Sequence, residues 1–158
     1  MADYPDFAYT KQALQVTGIG KYSQFNDCID MPVDAGESFA LAYHEGKGVI
    51  WGFAAEVRQD PPTDTGLQQK FRITIDDNVL FANNLLNPHL INRKLGITSP
   101  VVGMPFSTVY DDSNGRWTIA WIFPYPIRFN KIFELRYIND GTVETDVSYI
   151  VMWWKEYP

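Results

Sequence analysis

The sequence predicts an all-β protein: a two-sheet antiparallel sandwich, with a jelly roll as the favoured form and one short helix in a long connection. In most segments that contain apolar residues, apolar and polar positions alternate with a period of two, as strands with one buried face require. Clusters of glycine, proline, asparagine and aspartate separate these runs. The 158 residues are 46% hydrophobic and 15% aromatic, which is enough to fill the core of a single domain.

This alternation predicts seven to nine strands. Residues 1–35 are assigned to an N-terminal arm with a first strand, where a weak β pattern lies at 13–19, and residues 36–158 to the sandwich body. The strands of the body are predicted at residues 38–43, 49–57, 71–75, 79–81, 101–110, 117–123, 132–138 and 143–154. Turn-forming residues are concentrated at 44–48, 59–66, 111–115 and 139–141.

One helix is predicted within residues 87–96, in the longest connection. Asn87 is suited to cap its start, and Pro88 to occupy the first helical position. Arg93 and Lys94 favour the last turn, where cations interact well with the helix dipole, and Gly96 is suited to end it.

The last two predicted strands allow two arrangements. If residues 139–141 form a three-residue hairpin loop, Ile138 lies opposite Thr142 and the strands are neighbours in one sheet. If the strands instead belong to opposite sheets, they meet across the core. Both arrangements direct the same side chains inward, so the alternation does not separate them. The inward set is Phe133, Leu135, Tyr137, Val143, Thr145, Val147, Tyr149, Val151 and Trp153.

Two prolines, Pro124 and Pro126, directly precede a strongly β-forming run. Each lacks a backbone N–H and favours an extended conformation in the residue before it. The segment is therefore predicted to be extended but only partly paired. It suits a corner between a strand at 117–123 and another at 127–138, and it also suits a protected sheet edge.

An extended proline pair, an apolar–Phe–Asn run and a strand that ends in Asn-Asp-Gly are found in "PYPIRFN" and the residues after it. This pattern resembles the late strands of viral jelly rolls. Over residues 36–154, length and strand count are similar to the single-jelly-roll capsid proteins of icosahedral viruses with an internal membrane, the sphaerolipovirus type. The resemblance implies a structural virion protein that associates with itself and with a second capsid protein. Outside a virus, the expected location would be the cytoplasm.

Two alternatives stay open beside this resemblance. A family of sugar-processing β-sandwich proteins has a similar proline–Phe–Asn rhythm, which leaves a carbohydrate-binding module as the second functional hypothesis. If the turns at 111–115 and 139–141 were true hairpins, the topology would be a meander and not a jelly roll.

The residues that usually carry chemistry are scarce. His44, expected in a turn, and His89, expected in the helix, are the only histidines, and Cys28 is the only cysteine. A histidine or cysteine metal site and an intrachain disulfide are therefore not expected. There is no G-x-S-x-G elbow or glycine-rich phosphate loop. We accordingly expect no enzyme activity, no cofactor and no bound metal.

Acidic residues outnumber basic ones, and most of them fall in turns. The aspartates at 60, 64, 76–77 and 111–112 are interpreted as turn formers, because no calcium-loop spacing surrounds them. The net charge of −6, from 13 Lys and Arg against 19 Asp and Glu, makes direct nucleic-acid binding unexpected. The acidic start has no secretory pattern, and no apolar run is long enough to span a membrane.

The last predicted strand has a second face that begins polar, with Glu144, Asp146 and Ser148, and ends apolar. Because alternate side chains point to opposite faces, the apolar end needs cover from outside the core. That cover is either the chain's own N-terminal arm or another subunit. The candidate interface residues are Tyr4, Phe7 and Tyr9 in the arm and Ile150, Met152 and Trp154 in the last strand.

Overall fold

The computed structural model describes residues 22–59, 69–84, 86–99, 102–106, 110–111 and 114–156. In chain order their elements are β1 (Tyr22–Val33), β2 (Ser38–Glu45), β3 (Gly48–Gln59), β4 (Gln69–Ile75), β5 (Asn78–Asn84), α1 (Leu86–Lys94), β6 (Tyr110–Asp111), β7 (Arg116–Phe129), β8 (Ile132–Asn139) and β9 (Thr145–Lys155). The all-β fold with one short helix is confirmed, and so is each predicted strand of the body except that at 101–110. The weak pattern at 13–19 lies outside the described residues.

The strands form two antiparallel sheets that pack face to face. One has the order β1-β9-β3-β7-β6 and the other the order β2-β8-β4-β5. The principal pairs are β1 with β9, β2 with β8, β3 with β7 and β4 with β5. The first described strand thus pairs with the last, and the following pairs continue inward along the chain. A jelly roll has this pairing, because it is formed by rolling up a ribbon of such strand pairs. The turns at both ends of β8 therefore cross between sheets, and a meander is excluded.

The core lies between the two sheets and is rich in aromatic rings. Trp117, Phe71, Phe133 and Val151 are fully buried. Burial of each such side chain stabilises the fold by roughly 1.5 to 3 kcal/mol. β8 and β9 lie in opposite sheets and direct the predicted inward sets toward each other, with Val143 and Tyr149 only half-buried. Of the two predicted arrangements of the last two strands, the one in opposite sheets across the core is therefore confirmed, and the hairpin is wrong.

The prolines lie in a bulge of β7 and not at a corner. Ile127 pairs with Ile50 and Ile122 with Gly52, so four residues of β7, 123–126, oppose the single Trp51. Because the residues of the bulge are not paired with β3, the prolines need no backbone N–H there. β7 then continues to Phe129 in the same sheet. The predicted corner is therefore wrong, and the chain crosses to the other sheet after β7. The partial pairing is confirmed.

The segment predicted as a strand at 101–110 is mostly irregular where it is described. Gly103 has a φ of 91°, and its N–H donates to the carbonyl of Ile122. Phe106 forms an isolated bridge with Ala120, and only the two residues Tyr110–Asp111 form a strand. The prediction is wrong because the positive φ turns the chain and Pro105 has no N–H to donate.

The helix is present, but its start is capped by a different residue. The side-chain oxygen of Asn84 accepts a hydrogen bond from the backbone N–H of Asn87, at 3.0 Å. Asn84, at the end of β5, is therefore the cap that was predicted at Asn87. The C-terminal prediction is confirmed: Gly96 has a φ of 70°, and the N–H groups of Gly96 and Ile97 donate to the carbonyls of Arg93 and Asn92.

Two polar side chains join loops at opposite ends of the sandwich. The carboxylate of Asp76, in the β4–β5 turn, accepts backbone hydrogen bonds from Asn130, Lys131 and Ile132, which enter β8. At the other end, the buried amide of Asn139 donates to three backbone carbonyls, one at the end of β1 and two in loops. These acceptors are Val33, Asp34 and Val143. The aspartates of the β4–β5 turn are thus confirmed as turn formers, with φ of 47° at Asp76 and 68° at Asp77.

Candidate functional site

The outer face of the five-stranded sheet changes from charged to apolar along its length. Because alternate residues of β9 point into the core, Ser148, Ile150 and Met152 belong to the outward set. The register of β9 with β3, and of β3 with β7, places side chains from the three strands in rows across this face.

The first two rows form the charged half of the face. Arg58 and Arg116 lie in the row of Asp146, and Glu56 lies in the row of Ser148. The guanidinium of Arg58 donates to Asp146 at 3.0 Å, and that of Arg116 to Glu56 at 2.9 Å. These exposed ion pairs add little stability, since water screens them. Because they are charged and exposed to water, these side chains do not need to be covered by another surface.

In β9, β3 and β7 the next two rows contain no polar side chains, although Asp27 of the edge strand β1 lies beside Ile150. Ala54 and Ala120 lie in the row of Ile150, and Gly52 and Ile122 lie in the row of Met152. Ile150 is 43% exposed and Ile122 48% exposed. We call this region the apolar half of the face, and it consists of Trp51, Ala54, Ala120, Ile122, Ile150, Met152 and Trp154.

A shallow hollow of about 420 Å³ lies at the border of the apolar half. Ala54 and Ala120 contribute to its lining, together with Ile150 and Ile29. Ile29, in the edge strand β1, is 81% exposed. The two alanines leave room between larger neighbours, and Glu56 and Ser148 line the side of the hollow toward the charged half.

Two tryptophans lie at the far end of the apolar half. In the pairing of β3 with β9, Ile50 lies opposite Trp153 and Gly52 opposite Met152, so Trp51 is an extra residue that bulges at this position. Its ring lies 5.2 Å from that of Trp154, in an edge-to-face arrangement. Gly52 permits the bulge, because a Cβ at this position would overlap the carbonyl oxygen of Trp121. The pair forms a rigid aromatic border that is half-buried in the single chain.

The outer face of the four-stranded sheet has the opposite character. Arg136 donates to Glu134 at 2.5 Å, and Arg72 lies 3.8 Å from the same carboxylate. Arg136 also donates to Ser38 at 3.0 Å, and the hydroxyl of Tyr43 donates to Glu45. These polar side chains pair with one another, although Val79 on β5 is also 59% exposed. The apolar half is therefore distinguished by the apolar rows that three strands bring together, and not by exposed apolar residues as such.

The structure brings three of the six predicted interface residues together. Ile150, Met152 and Trp154 share the outer face of β9, as the alternation predicted. Tyr4, Phe7 and Tyr9 lie outside the described residues. Sequence reasoning missed the contributions of β1, β3 and β7, because rows across a sheet depend on register. The missed residues are Ile29, Trp51, Ala54, Ala120 and Ile122.

The histidines occupy different environments. His44 lies in β2 and not in a turn, and its ring is 5.1 Å from that of Trp153 and 5.9 Å from that of Phe129. Partial burial, and secondarily the charge of Lys155, lower its pKa. His89 lies in α1, as predicted. His44 therefore packs against aromatic rings at the end of the core.

Among the described residues, no three His, Cys, Asp or Glu side chains come together as a metal site requires. Within the same part of the chain, no helix combines the length and apolar character needed to cross a bilayer.

Comparison of the chain with protein-family models and with curated protein sequences finds no match.

Proposed function

We propose that this jelly roll is a structural virion subunit that acts by self-association, and that the apolar half of the five-stranded sheet is its first contact with another copy. The observation that carries the proposal is the row pattern on this face, where three strands combine to expose apolar side chains around a hollow. The proposal assigns the chain no catalytic step, cofactor or metal.

A second copy is the proposed occupant of this face, because the face combines apolar side chains that need cover with charges of both signs. In a two-fold contact each copy presents the same surface to the other. Ile29 or Ile150 of one copy can then enter the alanine-lined hollow of the other. The charged half contains both Arg58 and Glu56, so a rotated copy meets charges of both signs.

The available apolar burial is compatible with a reversible contact. Ile29, Ile122, Ile150 and Met152 are partly or largely exposed. Completing their burial contributes roughly 1 to 2 kcal/mol each, or about 10 kcal/mol from two copies, against association costs of at least about 4 kcal/mol. We expect association at micromolar concentration, as suits a subunit that assembles reversibly before it is locked into a larger array.

The test is the sedimentation of wild type and Ile150→Glu over a range of concentrations. A buried carboxylate in an apolar contact is costly, so we expect Ile150→Glu to weaken the dimer at least tenfold. Val79→Glu is the matched control, because Val79 is 59% exposed on β5 of the other sheet. It should dimerise like wild type. A wild type that stays monomeric, or an Ile150→Glu variant that dimerises normally, would show that this face is not the contact.

The carbohydrate-binding hypothesis receives less support. A sugar-binding groove needs exposed aromatic rings arranged together. Among the described residues, the exposed ring of Tyr125 lies on a different sheet from those of Phe39 and Tyr43, and Tyr43 is engaged with Glu45. Binding of a neutral oligosaccharide by a strictly monomeric wild type, measured by calorimetry, would favour this alternative over the virion subunit.

A further inference from the structure

The helix α1 exposes the residues that an isolated amphipathic helix would bury. Leu90, Ile91 and Leu95, at its C-terminal end, are 41%, 50% and 62% exposed. Among the helix side chains that the structure describes, residues 87–94, the buried ones are Pro88 and Asn92, and the amide of Asn92 donates to the carbonyl of Pro105 at 3.2 Å. The exposed leucine and isoleucine side chains form an apolar surface that is open to a partner.

This apolar surface is accompanied by positive charge. Arg93 and Lys94 form the last turn of α1 and are exposed. Among the described residues, no carboxylate lies within 4.0 Å of either side chain. We call this surface, made of Leu90, Ile91, Arg93, Lys94 and Leu95, the basic helix surface. Its occupant should combine apolar contact with negative charge.

A surface with those properties lies on the same chain. Phe39, near the start of β2, is 42% exposed, and Asp34 and Glu37 lie in the loop before it. Glu144 accompanies them, and a hydrogen bond with Asp34, together with slight burial and nearby negative charge, raises its pKa. Within the described part of the chain, no cation forms a salt bridge with Asp34, Glu37 or Glu144. We call Asp34, Glu37, Phe39 and Glu144 the acidic edge.

The two surfaces lie at opposite edges of the four-stranded sheet. In the four-stranded sheet, β2 and β5 are the two edge strands. The acidic loop enters β2, whereas α1 follows β5 and contacts it. Three strand spacings, roughly 14 Å, separate the two edges. Within one copy, the acidic edge is therefore too far away to contact the basic helix surface. Two copies placed side by side can bring the two unlike surfaces together.

We infer that the basic helix surface of one copy packs against the acidic edge of a second copy. Such a contact is head-to-tail, so each copy retains one free surface of each kind and the association continues. It rests on the proposed self-association but uses a different surface. The apolar half alone would give closed dimers, and the second contact would join the dimers into larger assemblies.

The test is a charge exchange between two variants. One carries Arg93→Glu and Lys94→Glu, and the other carries Asp34→Lys and Glu37→Lys. Each variant alone opposes like charges, so we expect growth beyond the dimer to weaken roughly tenfold or more in sedimentation. In an equimolar mixture every contact again joins opposite charges, and growth should recover. Wild-type growth should also fall as salt is raised.

The same series on an Ile150→Glu background separates the two contacts. Because the head-to-tail contact continues by itself, this background should still grow open-ended and remain sensitive to charge exchange, whether or not the apolar half is a contact. If wild type never exceeds a dimer, or the exchanged variants grow like wild type, or their mixture does not recover, the inference is overturned. All substituted residues are exposed, and circular dichroism will confirm that each variant is folded.

Discussion

At the scale of single residues, Asp76 is a turn former that also binds the backbone of a segment far away in the sequence. Its carboxylate holds three successive backbone N–H groups at the start of β8. Burial by itself would raise the pKa of Asp76, but the N–H groups of Lys131, Asn130 and Ile132 and the amide of Asn130 outweigh it and lower the pKa overall. The ionised form is therefore the one that stabilises the fold.

This pKa shift gives a stability that depends on pH. Because the folded pKa of Asp76 is lowered, its contribution is fully present above the ordinary aspartate pKa of about 3.9 and is lost as the pH falls through the lower folded value. We expect Asp76→Asn to lower the thermal midpoint at pH 7, with the difference from wild type narrowing in acid. Asp77→Asn is the control, since Asp77 has only a 3.9 Å contact with Lys131. A difference that is constant with pH would contradict this role.

Asn139 makes a stronger prediction, because it is fully buried. Its amide group satisfies the carbonyls of Val33, Asp34 and Val143, and its oxygen accepts from the N–H of Gly141. Asn139→Ala leaves these groups without partners and should reduce the free energy of unfolding by about 3 kcal/mol or more. Asn78→Ala, which removes an exposed hydrogen bond to Asp76, should cost less than about 1 kcal/mol. Urea titration measures both. Equal losses would show that burial does not matter here.

At the scale of elements, β9 has two tryptophans with opposite roles. Trp153 is buried among core rings, and its indole N–H donates to Asn26 at 2.7 Å. Trp154 lies on the outer face against Trp51. We expect Trp153→Ser to destabilise the sandwich by about 3 to 5 kcal/mol. Trp154→Ser should weaken dimerisation with a smaller stability loss. Sedimentation and thermal melts of both variants decide this, and equal stability losses would place Trp154 in the core of the single chain.

The sequence predicts elements well where one face is buried and the strand is regular. β4 and β8 alternate clearly, because one side of each packs into the core. β1 was not located at its true position, because it is an edge strand whose register shifts between Cys28 and Met31. The apolar end of β9 was predictable from alternation, whereas its neighbours Ala54 and Ala120 were not. Their part in the site depends on pairing between distant strands.

At the scale of the whole molecule, the jelly roll was one of two topologies compatible with the sequence. Inward and outward alternation is the same in a hairpin and in strands that face each other across a core. Pairing decides between them, and pairing depends on contacts such as Tyr22 with Lys155 that span almost the whole described chain. The two proposed contacts between copies likewise depend on the three-dimensional structure. The sequence alone does not show that α1 and the acidic edge lie at opposite edges of one sheet.

The position of β9 also has a consequence for synthesis. It lies between β1 and β3, yet it is the last of the described strands to be made. Until its 11 residues leave the ribosome, β1 has no partner among the described strands, and the edge of β3 that will pair with β9 is open. Such long-range pairing is slow to form. The nascent chain therefore carries unpaired strand edges through most of translation, and this jelly roll should depend on chaperones more than its size suggests.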